Sequence, residues 1–187
     1  MHTAMTTPPP PRCALVGMPG SGKSTVGRQL AQRLKVPFVD LDQRLEESLG
    51  TSIRAFFAAE GEERFRALEA EMLAQVAQED GGMVLSTGGG TVLRPENRAA
   101  LRRFGTVLYL RASPDDIFRR IRHDKTRPLL QVAHPLERLR ELYAQRDPLY
   151  REAAHFTIET HRPTVATLVH MIVMQLELAA PHPPAAD

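Results

Sequence analysis

The sequence predicts an α/β fold built on a mainly parallel sheet. Three observations carry this. Short apolar runs alternate with longer amphipathic stretches from Arg12 to Glu177. The first run ends in a glycine-rich loop that opens a helix, and polar clusters follow the later runs. A sheet covered by helices on both faces requires this alternation, and ligands of such sheets bind beyond the carboxyl ends of the strands.

Cys13–Val16 is a buried run that stops at Gly17. From Ser24 to Lys35, Val26, Leu30, Ala31 and Leu34 form one helical stripe. Val36–Val39 reads as the second strand, ending at Asp40, and two helical stretches follow, broken near Gly50 and Gly61. Met83–Ser86 and Thr106–Leu110 are expected strands, each followed by a helical segment, and Phe156–Ile158 is the last. Val165, Leu168, Val169, Ile172, Val173 and Leu176 recur at helical spacing, so the chain closes with a packed helix.

The 187 residues, 42% of them hydrophobic, suffice for one domain with its own core. Prolines crowd both ends, at Pro8–Pro11 and at Pro181, Pro183 and Pro184. Disordered tails are therefore expected at 1–11 and 179–187 around a single unit at 12–178. The apolar runs are far too short to cross a bilayer, and prolines stand where an export signal needs its apolar region. Cys13, the single cysteine, cannot form an internal bridge, which fits a reducing cytosol. With 24 basic and 22 acidic residues the charge is too balanced for a nucleic-acid binder, and the seven histidines lack metal-ligand spacing.

Gly17–Thr25 fits the pattern of a phosphate-binding loop with a strand before it and a helix after. Glycines let backbone N–H groups point inward at phosphate oxygens, and the helix start adds its positive dipole end. Lys23 supplies a charge for the β and γ phosphates, and the Ser24 hydroxyl can ligate Mg²⁺. The loop implies binding of ATP or GTP and leaves the acceptor open.

Five further features bear on the acceptor side. Asp40-Leu41-Asp42 follows the second strand; on an extended segment both carboxylates face one side, one for metal-bound water and one for a hydroxyl proton. Either aspartate could instead cap the next helix. Gly88-Gly89-Gly90 follows the third strand and lets backbone approach a ligand closely. Arg66 has Glu62, Glu63 and Glu69 one turn away, so it is either a surface ion pair or a ligand-binding group. Arg146 has no carboxylate at those spacings, and its planar fork suits a carboxylate from elsewhere. Finally, His123–Leu130 is either an exposed basic loop or a lid that carries Arg127 to the transferring phosphoryl group.

Taken in order, the phosphate loop, Asp40-Leu41-Asp42, Phe65-Arg66-Ala67-Leu68-Glu69, Gly88-Gly89-Gly90, Thr126-Arg127-Pro128-Leu129-Leu130 and Arg146-Asp147-Pro148-Leu149-Tyr150 resemble the shikimate kinase family. The resemblance covers Gly17 to Pro163. It implies a five-stranded parallel sheet of order 2-3-1-4-5 flanked by helices, with a mobile lid at about 122–134. It also implies a cytoplasmic monomer that phosphorylates the shikimate 3-hydroxyl with ATP and Mg²⁺, on the route to chorismate and the aromatic amino acids.

By matching position, Asp42 would bind ring hydroxyls and act as base, Arg66 and Arg146 would clamp the carboxylate, and the Gly88–Gly90 backbone would bind substrate. Lys23 and Arg127 would neutralise the moving phosphoryl group. Gly20, Ser21, Gly22, Lys23, Ser24 and Thr25 would hold the nucleotide, with Arg120 and Pro163 bordering the adenine. Ser24 would ligate Mg²⁺ directly and Asp40 through water. Another small-molecule kinase, such as a gluconate kinase, would share the loop and lid but not both the triple glycine and Asp-x-Asp. A ligand-sensing domain would not need Lys23, Ser24, Asp42 and Arg127 together.

Overall fold

The structure is a computed structural model that describes residues 7–161 and 163–179. Five parallel strands form one sheet, β1 Arg12–Val16, β2 Phe38–Asp40, β3 Met83–Ser86, β4 Thr106–Arg111 and β5 Phe156–Glu159, in the order β2-β3-β1-β4-β5. Register places Ala14 beside Leu85 on one neighbour and beside Val107 on the other. The three central strands are apolar on both faces because both faces are covered. Ala14, Val16, Leu85, Val107 and Tyr109 point into one core layer, whereas Cys13, Leu15, Val84, Leu108 and Leu110 point into the other. Each fully buried branched side chain contributes about 1.5–3 kcal/mol.

Helices α1 Lys23–Leu34 and α8 Val165–Ala179 cover the second layer, with Val26, Leu30, Leu168, Val169 and Ile172 inside. The first layer is covered by α2 Leu41–Leu49, α3 Ile53–Glu60, α4 Glu62–Gln78, α5 Pro95–Phe104, α6 Pro114–Ile121 and α7 Pro135–Ala153. A short 3-10 turn, Thr91–Leu93, joins the triple glycine to α5. Another, Pro128–Leu130, lies in the segment between α6 and α7 that was expected to be the lid.

Three local expectations are corrected. The segment after β2 holds three helices rather than two, because Gly50 and Gly61 each stop one helix and Ser52 caps the next through Ala55 N–H. The second strand starts at Phe38, two residues late: Lys35 closes α1 in a left-handed conformation, and Pro37 joins the sheet only by its carbonyl, accepting from Val84. Asp42 stands in the first turn of α2, not on an extended segment.

Residues 1–6 and 180–187 of the expected tails lie outside the described residues. Pairing already begins at Pro11, whose carbonyl accepts from Met83, and α8 continues through Ala179. Among the described residues no helix is long and apolar enough to cross a membrane.

Candidate active site

The carboxyl ends of β1, β2 and β3 open into one cleft. Its larger part, about 450 Å³, is lined by Gly20, Gly22, Lys23, Ser24, Thr25, Asp40, Asp42, Gly88, Gly89, Arg120 and Arg127, among others. A smaller adjoining part, about 180 Å³, shares Pro19, Asp42, Gly88 and Gly89 with it and adds Arg66, Gly90 and Arg146. Two expected residues stay out of the lining. Ser21 is buried within the loop, donating its N–H to Met18. Pro163 lies between β5 and α8 and is not among the residues that line the cleft.

The phosphate loop turns through Gly22, whose φ of 92° is left-handed and would strain any residue with a Cβ. Lys23 opens α1 and bends back over the loop, donating to the carbonyls of Gly17 at 2.9 Å and Met18 at 2.8 Å. Burial pulls its ammonium pKa down to about 8, against the opposing pull of Asp42 and Asp40. Arg120 spans from the loop to β5, donating to Ser21 at 3.5 Å and to Thr160 at 3.0 Å.

Asp40 caps the next helix, as its sequence position allows, and also faces the phosphate loop. One carboxylate oxygen caps α2 by accepting from Gln43 N–H, and the other accepts from the Ser24 hydroxyl at 3.0 Å. The helix start then turns Asp42 into the same cleft by a different geometry from strand alternation. Burial pushes Asp42 up to about 6, helped by the negative charges of Glu69 and Asp40. Such a carboxyl changes protonation near the working pH of an enzyme.

Arg66 is ion-paired on its own helix and also lines the smaller chamber. It pairs with Glu69 at 2.9 Å and with exposed Glu62 at 3.4 Å, while its guanidinium faces the smaller chamber. Glu69 is 1% exposed and accepts a further bond from the Thr91 hydroxyl at 2.9 Å. A buried carboxylate with two fixed donors is an anchor, and it aims Arg66 at the triple glycine. Sequence spacing shows Glu69 only as one of three acidic neighbours; its burial is a tertiary fact. The glycines are needed for space: a Cβ at Gly88 would come within 2.8 Å of Asp42 Oδ1, at Gly89 within 2.7 Å of Pro19, and at Gly90 would strike the Arg66 guanidinium.

Arg146 reaches the chamber from α7, and among the described residues no carboxylate pairs with it. On the opposite rim Arg127 donates through Nε to Asp124 at 3.0 Å, and among the described residues its two terminal nitrogens make no hydrogen bond at the edge of the larger chamber. Two unpaired or partly paired arginines, one raised carboxyl and a glycine loop define a pocket for a small hydroxylated anion beside a nucleotide site.

Fold and site together define a P-loop kinase that acts on a small molecule. The chain belongs to the shikimate kinase family: the family model described as shikimate kinase matches residues 19–177. It is 60% identical over 173 residues to a shikimate kinase of Paracidovorax citrulli, covering 91% of this chain and 94% of that one. It is 56% identical to one of Ralstonia nicotianae, covering 92% and 90%. Among solved structures it is similar to the shikimate kinase from Acinetobacter baumannii in complex with shikimate, with TM-score 0.84 and 43% identity over 90% of this chain and 93% of that one. A gluconokinase from Sinorhizobium meliloti, at TM-score 0.51 and 16% identity over 92% and 98%, shares the fold alone.

Proposed function

We propose that this kinase transfers the terminal phosphoryl group of ATP to the 3-hydroxyl of shikimate, acting as a cytoplasmic monomer. The observation that carries this reading is the convergence of Arg66, Arg146, Asp42 and Gly88–Gly90 on one small chamber that opens into the phosphate-loop cleft. Shikimate is a compact ring with one carboxylate and three hydroxyls. Two planar guanidinium forks match the carboxylate, and an aspartate with glycine backbone matches the hydroxyls. Every group invoked comes from a single copy of the chain.

In the reaction the acceptor oxygen bonds to the γ-phosphorus, its proton passes to Asp42, and the bond from the γ-phosphorus to the β–γ bridging oxygen breaks to release ADP. Phosphoryl transfer needs positioning and charge neutralisation more than a strong base, so a carboxyl titrating near 6 suffices. Lys23 and Arg127 neutralise charge on the moving group, the loop from Gly20 to Thr25 cradles the phosphates, and Arg120 with Pro163 flanks the adenine. Ser24 and Asp40 fit Mg²⁺, because a hydroxyl beside a carboxylate offers hard oxygen donors where phosphate oxygens complete the shell. Ser24 would hold the ion directly and Asp40 through water. When bound, the ion would offset charge across the β and γ phosphates.

The carboxylate clamp is tested by pairing Arg146→Ala with shikimate methyl ester. Loss of a charged hydrogen-bonded partner costs about 2–4 kcal/mol, so the variant's KM for shikimate should rise about 30-fold or more while that for ATP stays put. The wild type should show a similar loss with the ester, and the variant with the ester little more. Equal effects on both substrates, or fully additive losses, would reject the clamp.

A further inference from the structure

Tyr150 lies on α7 one turn beyond Arg146 and is wholly buried. Its hydroxyl donates to the carbonyl of Gly89 at 2.6 Å, and the charge of the Arg146 guanidinium acts on it from one turn away. A phenol has one proton to give, and here it is committed to the glycine loop. The ring is held separately. It packs against Tyr109 with centroids 5.0 Å apart, and the Tyr109 hydroxyl in turn donates to Asp147 at 2.7 Å.

We infer that Tyr150 is a positioning residue for acceptor binding: its hydroxyl ties the glycine loop to α7, one turn from Arg146, and so sets the separation that the acceptor must span. The peptide between Gly89 and Gly90 is planar, so anchoring its carbonyl also fixes the direction of the Gly90 N–H. Tyr150 lines neither chamber and acts through what it holds: Gly89, which borders both, and α7, whose Arg146 lines the smaller chamber and not the larger. This role rests on the shikimate reading above, and the test separates the two.

Tyr150→Phe keeps the ring and removes the tie. Kinetics with wild-type enzyme run alongside should show turnover of shikimate; its absence would overturn the function rather than the positioning role. Given that turnover, the variant's KM for shikimate should rise about 5- to 15-fold, with kcat and the KM for ATP changed less than about twofold. Tyr109→Phe is the control: it removes a buried phenol hydrogen bond from the same ring pair without touching Gly89 or Arg146. It should lower Tm and leave the KM for shikimate unchanged. Unchanged KM in Tyr150→Phe, parallel rises for ATP and shikimate, or an equal rise in Tyr109→Phe would each overturn the assignment. Should Tyr150→Phe fold poorly, 3-fluorotyrosine replacing Tyr150 changes the acidity and hydrogen bonding of the hydroxyl with little change in the shape of the ring. Calorimetry should then show a changed Kd for shikimate and an unchanged Kd for ATP; no change in either would equally overturn it.

Discussion

Asp42 is held where ionisation is unfavourable, and that cost is part of its chemistry. Burial, Glu69 and Asp40 raise its pKa to about 6 even though Lys23 and Arg66 pull the other way. The folded pKa lies above the unfolded value of 3.8, so this group's contribution to stability is full below that value and is lost as pH rises through about 6. Above that range the fold carries an unfavourable charge. Asp42→Asn should therefore lower kcat by about 100-fold or more and yet raise Tm, by about 3–6 °C at neutral pH. In the wild type, kcat/KM should fall below about pH 6 as Asp42 protonates, and above about pH 8 as Lys23 loses its proton. Bound phosphates favour the ammonium form, so the alkaline limb of kcat should lie higher than that of kcat/KM. A variant no more stable than wild type, or a flat profile between pH 5 and 7 (roughly one unit either side of the Asp42 value), would contradict this account of the site.

The elements that present these residues are tied together at the far end of the sheet. Arg12, at the start of β1, donates to the carbonyls of Ala77, Glu79, Gly81 and Phe104, and its guanidinium sits 4.3 Å from the Phe104 ring centroid. It thereby satisfies carbonyls at the carboxyl ends of α4 and α5, which a helix leaves without partners. Arg12→Ala should cost about 2–3 kcal/mol and lower Tm by roughly 5–10 °C, with both KM values unchanged because the cleft is at the opposite strand ends. A kinetic effect without a thermal one would refute that division. Arg12 also shows what a sequence reading misses: it stands at a strand start, and its four acceptors lie 65 or more residues away. The buried strands are legible because apolar runs bounded by glycines and polar clusters have few other uses. The three helices between β2 and β3 are harder to count, since Gly50 and Gly61 end helices by backbone shape while short amphipathic stripes run together. Asp-x-Asp likewise fits strand alternation and a helix start equally well, and only the capping bond from Gln43 decides.

At the scale of the whole molecule, six separated segments converge on one cleft, and this convergence is what sequence order alone could suggest but not build. The phosphate loop is local, so its chemistry is readable from adjacent residues. The acceptor chamber is not: Asp42, Arg66, Gly90 and Arg146 come from four elements, and the anchors behind them, Glu69 and Tyr150, act through burial that no spacing reveals. The most direct test of the central claim is a coupled assay of ADP release with ATP and Mg²⁺, comparing shikimate with gluconate and nucleoside monophosphates. Release with shikimate alone is the predicted result. Release with gluconate or a nucleotide, or binding of shikimate without any ADP formed, would contradict it.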